Sequence, residues 1–100
     1  MLKPKVNMDN YVWVISEIRG EEEAFLGMSG PEGHGFIPVT ASREDAESLV
    51  KKLPPAGPVE RQVEATHKEQ IIKHAQENDF HVYLVDGEGK LLRRLGEKTH

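Results

Sequence analysis

The stretch Tyr11-Val12-Trp13-Val14-Ile15 has no polar residue among its β-branched and aromatic side chains. That is the composition of a strand covered on both faces or placed centrally in a sheet. A chain built around such a strand must supply apolar cover from elsewhere, and two later segments can do so. Ser42 is a good N-cap with Asp45 at N3, and Ala46, Leu49, Val50 and Leu53 follow at i, i+3, i+4 and i+7, one face of a helix. Pro54-Pro55 stops this helix, and Ala56-Gly57-Pro58 completes the connection. Thr66 and Glu69 have capping-box spacing ahead of a second helix, with Ile71, Ile72 and Ala75 as its buried stripe and an end near Asn78.

The remaining regular segments read as strands. Arg19 to Glu23 is a charged turn, and Ala24 to Met28 is expected to pair back on the first strand. Ser29 to Gly35, with three Gly and one Pro, is a loop, and Phe36 to Thr40 is a strand that Pro38 places at an edge or at its start. Val59, Val63 and Ala65 alternate with Glu60, Gln62 and Glu64, a half-wet strand whose apolar side Arg61 interrupts. Phe80 to Val85, the turn Asp86-Gly87-Glu88-Gly89 and Lys90 to Leu95 form a closing hairpin. The expected fold is α+β, in the order βββαβαββ. It is a two-layer sandwich, with a mixed, mostly antiparallel sheet of five to six strands and both helices on one face. Residues 10–95 form one domain, with 1–9 and 96–100 as flexible termini.

Composition narrows the functions. Thirteen Lys and Arg against seventeen Asp and Glu give a net charge of −4, which removes the usual electrostatic ground for a nucleic-acid partner. The absence of cysteine excludes disulfides, a thiolate nucleophile and Cys-ligated zinc. The start carries no apolar stretch of signal-peptide length, and the longest apolar run, Val12 to Ile15, falls far short of the roughly 20 residues of a membrane span. A cytoplasmic, membrane-independent protein is expected.

No motif in the chain assigns a reaction. The glycines from Gly27 to Gly35 could cradle a phosphate, but they lead into a strand rather than a helix and carry no Lys followed by Ser or Thr. His67 and His74 share a helix face but stand about 10 Å apart along the axis, too far to ligate one ion. Ser16, Ser29 and Ser48 are the candidate nucleophiles, and Ser29 lacks a nucleophile elbow. Glu21, Glu22 and Glu23 repel one another and favour water. Neither a catalytic residue, a metal ligand nor a cofactor is assigned.

The stretch from Phe36 to Val85 resembles a small-domain family of unknown function from cyanobacteria and plastids. The likeness lies in Glu44-Asp45-Ala46, Pro58-Val59-Glu60, the helix around Ile71-Ile72 and the Phe80 to Val85 strand. It implies a similar α+β layout and no activity. Two functional readings follow. The first is a non-catalytic binding or regulatory module, acting through a protein partner or homodimerisation, with Trp13, Phe25 and Tyr83 as interface anchors. The second is a small-ligand-binding or hydrolytic protein that uses the Gly27 to Gly35 loop. There His34 would be general base, Glu32 would orient it, and Gly33 and Gly35 would flank it.

Overall fold

The structure, a computed structural model, describes residues 10–30, 33–54 and 57–96. Its axis is β1 (Tyr11–Arg19). β5 (Glu60–His67) runs antiparallel along the full length of one side, from Tyr11 opposite His67 to Ile18 opposite Glu60. The other side of β1 is shared. Trp13 and Val14 pair with Thr40 and Val39 of β4 (Gly35–Thr40), whereas Ser16 to Arg19 pair with β2 (Glu22–Phe25). β1 and β4 thus diverge like a fork. The chain from β2 into β3 (Met28–Ser29) fills it, with the Leu26 N–H donating to the Ile15 carbonyl at 2.8 Å and β3 pairing with β4. β6 (His81–Val85) lies parallel to β4, and β7 (Leu91–Leu95) closes that edge antiparallel to β6.

Several boundaries differ from the sequence expectation. The charged turn shrinks to Gly20-Glu21, with Gly20 at φ 60, so β1 continues to Arg19 and β2 begins at Glu22. The segment expected as one strand, Ala24 to Met28, divides at Leu26-Gly27, where it passes from the β1 side of the fork to the β4 side. Pro38 lies buried within an inner strand. It falls between the residues that pair with β1 and those that pair with β3, where the ladder on that side is interrupted and a missing N–H is tolerated. Of the expected termini, 1–9 and all of 96–100 but Gly96 lie outside the described residues, as do Pro55 of the helix stop and Ala56 of the connection.

α1 (Arg43–Lys52) starts as the spacing predicts, with the Asp45 N–H donating to Ser42 Oγ at 3.1 Å. α2 (Lys68–Glu77) is capped one residue later than expected. Thr66 stays in β5 opposite Val12, and His67 Nδ1 accepts the Glu69 N–H at 3.3 Å. The pairing of β5 with β1 extends to the Tyr11–His67 position and holds Thr66 extended.

The expected single helical layer is replaced by a helix on each face. Val12 and Val14, Ile37 and Val39, and Val82 pack with Ile71 and Ala75 of α2. The alternate residues Ile15, Phe36 and Val85 pack with Leu49 of α1, together with Leu26. Neighbouring side chains on a strand point to opposite faces, so the helices lie on opposite sides of the sheet. The cause is the strand order. β4, β5 and β6 run the same way, but α1 carries the chain from β4 across to β5 while α2 carries it back from β5 to β6. Connections of one hand that travel in opposite directions across a sheet come to lie on opposite faces. No helix among the described residues is long and apolar enough to cross a membrane.

Arg61, the interruption in the apolar side of β5, stands opposite Glu17 with Nε to Oε2 at 3.1 Å, and its Nη1 donates to the Pro54 carbonyl at 2.9 Å. The β6–β7 turn is closed by Asp86, whose Oδ1 accepts the Glu88 and Lys90 N–H groups at 2.9 Å each. These bonds hold its carboxyl below the ordinary value of 3.8. What they add to the turn is fully present above that value and is lost as pH falls through the depressed one.

Candidate functional site

α2 crosses its face of the sheet without covering all of it. Between its C-terminal half and the β5–β1–β2 side lies a cleft of about 560 Å³, within the roughly 300–1,000 Å³ typical of small-molecule pockets. Ser16, Phe25 and Ile37 lie at its base, Glu23 and Ala24 of β2 and Glu64 of β5 flank β1 on opposite sides, and His74, Asn78 and Phe80 line it from α2 and the segment that follows.

Local structure places each of these groups. Ser16 follows Val12 and Val14 on the α2 face of β1, and a third apolar residue is what that pattern calls for. The serine is 1% exposed, and its Oγ has no hydrogen-bond partner. Phe25 stands directly opposite Ser16 on β2 and meets the His74 ring edge-on at 5.0 Å. Asn78 caps α2, and its Nδ2 donates to the His74 carbonyl at 2.9 Å. Phe80 lies over a shelf of two glycines. A Cβ on either Gly27 or Gly35 would stand 2.9 Å from Phe80 Cε2. Both glycines therefore serve the close approach of this ring, which walls one end of the cleft.

The same alternation sorts the charges. Glu22 opposes Arg19 and Glu17 opposes Arg61 on the α1 face. Glu23, opposite Ile18, and Glu64, opposite Val14, fall on the α2 face with no basic cross-strand partner. The cleft is thus lined by two carboxylates and one imidazole, with no Lys or Arg.

Ser16, His74 and Glu64 are the residue types of a hydrolytic triad, but Ser16 Oγ makes no hydrogen bond and so has no base engaged with it. Among the described residues no group of three or more His, Asp or Glu is arranged to hold a metal ion. A second depression of about 620 Å³ lies between α1 and β5. Both of its arginines are already engaged, Arg43 with Glu47 at 3.1 Å and Arg61 with Glu17, and its remaining cation, Lys51, is exposed, so its size does not make it the better candidate.

The residues singled out from the sequence are dispersed. Gly33 and His34 are exposed in a connector between β3 and β4, tied by the Gly30 N–H to the His34 carbonyl at 2.7 Å. The His34 ring lies 5.3 Å from that of His81. Glu32 lies outside the described residues, and Gly35 supports Phe80. Of the interface anchors, Trp13 is half-buried with the Arg43 guanidinium 5.9 Å above its ring, and Tyr83 is half-buried with its ring edge-on to Phe36 at 5.2 Å. Phe25 alone lines the cleft. Glu64, Ile37 and Phe80 were not singled out from the sequence as site residues. The available signal was Ser16, a polar side chain in the apolar phase of a buried strand.

No protein-family model matches the chain, and neither a curated protein nor a solved structure matches it.

Proposed function

We propose that this domain is a non-catalytic binding module whose small-molecule ligand seats in the cleft beside α2. The observation that carries this reading is the Ser16 hydroxyl, buried without a partner at the base of a cavity otherwise floored by Phe25 and Ile37. An unmet buried hydroxyl costs about 1–3 kcal/mol, and a fold has no reason to keep one where valine would pack. A ligand that hydrogen-bonds to it supplies that reason.

Stability is the test. Ser16→Ala is expected to raise the unfolding free energy by about 1 kcal/mol in urea, the sign expected when a functional polar group is removed. A destabilised Ser16→Ala protein contradicts the reading, because the hydroxyl would then be a satisfied structural group. Docking of a protein partner or a second copy along β5 is the second reading. It is favoured by eight residues that, among those described, pair only with β1. A monomeric mass across a concentration series in light scattering removes the second-copy form of it.

A further inference from the structure

The cleft's chemistry narrows its ligand, on the reading that the cleft is the binding site. The geometry points to an organic cation, a protonated amine carried on an apolar or aromatic body. Three independent features converge. The acidic side chains at the cleft are Glu23 and Glu64, no Lys or Arg lines it, and the arginines of the neighbouring strands, Arg19 and Arg61, are turned to the opposite face against Glu22 and Glu17. Ser16 Oγ, 1% exposed and unpartnered on the α2 face, offers an acceptor to an ammonium N–H at the base. Phe25, Ile37 and Phe80 supply apolar surface for the body, and the two rings can also face a cation.

An anionic ligand would meet two carboxylates without a counter-charge. A bare metal ion would find no three-ligand group among the described residues. An alkylammonium carries three donors and no acceptor, so it can meet the hydroxyl and a carboxylate of the cleft together.

The experiment compares three isosteric probes by calorimetry on the full chain: 3-phenylpropylamine, 3-phenylpropanol and 3-phenylpropionate. The amine is expected to bind at least about tenfold more tightly than the alcohol, the factor supplied by one charge-assisted hydrogen bond. The carboxylate is expected to bind most weakly. At least one of Glu64→Gln and Glu23→Gln lowers amine affinity about tenfold, and both leave alcohol affinity unchanged. Glu64 is half-buried and Glu23 exposed, so isosteric amides leave the fold intact, which amide spectra of the variants verify. Equal binding of amine and alcohol, or an amine indifferent to both substitutions, overturns the cation inference and leaves the cleft as a binding site. Failure of all three probes to bind overturns the cleft reading itself.

Discussion

Arg61→Leu lowers the unfolding free energy by about 3 kcal/mol, because it strands Glu17 in a place with little water. The two side chains are 14% and 18% exposed, and Arg61 also holds the Pro54 carbonyl where the chain leaves α1. Removing one member of a largely buried pair leaves the other charge desolvated and unpaired, which costs more than the pair itself contributed. The double variant Glu17→Leu/Arg61→Leu therefore recovers most of the loss. Urea midpoints at unchanged m-values read both effects. A loss under about 1 kcal/mol for the single variant would mean that the pair behaves as an ordinary solvated surface ion pair.

Ile71→Ala costs about 3 kcal/mol, as expected for a large aliphatic side chain that is 1% exposed. Ile15→Ala, equally buried, costs a similar amount on the other side of the sheet. Ile71 belongs to the cluster beneath α2 and Ile15 to the cluster beneath α1. With the sheet between them, the two losses add to within about 0.5 kcal/mol in the double variant. A coupling well above that would place both isoleucines in one core and contradict the arrangement of a helix on each face.

Local features of the fold were legible in the sequence, and its global arrangement was not. Ser42 and Asp45 marked the start of α1 because a cap is a local event, closed between residues three positions apart. The start of α2 slipped by one position because the neighbouring strand, not local propensity, decided where Thr66 belongs. The two-sided cover was hinted at by the stretch Tyr11 to Ile15, whose β-branched and aromatic side chains have no polar alternate. Assigning the helices to faces, however, required the strand order, which depends on pairings remote in sequence. The site follows the same division. Ser16 could be weighed from the sequence as a lone polar group. Gly27 and Gly35 read as loop glycines, because nothing near them announces that Phe80 will lie across both. Glu64 read as the wet face of a strand, and only α2 passing beside that face makes it one wall of a cleft.

The most direct measurement is a mixed fragment screen read by backbone amide shifts on the wild-type chain, repeated on Ser16→Val. The account predicts shifts centred on Ser16, Phe25, Ile37, Glu64 and Phe80, absent in the valine variant, whose added methyl groups fill the base of the cleft. Shifts centred instead on Gly33 to Gly35 and His34, or unchanged by the substitution, would contradict it.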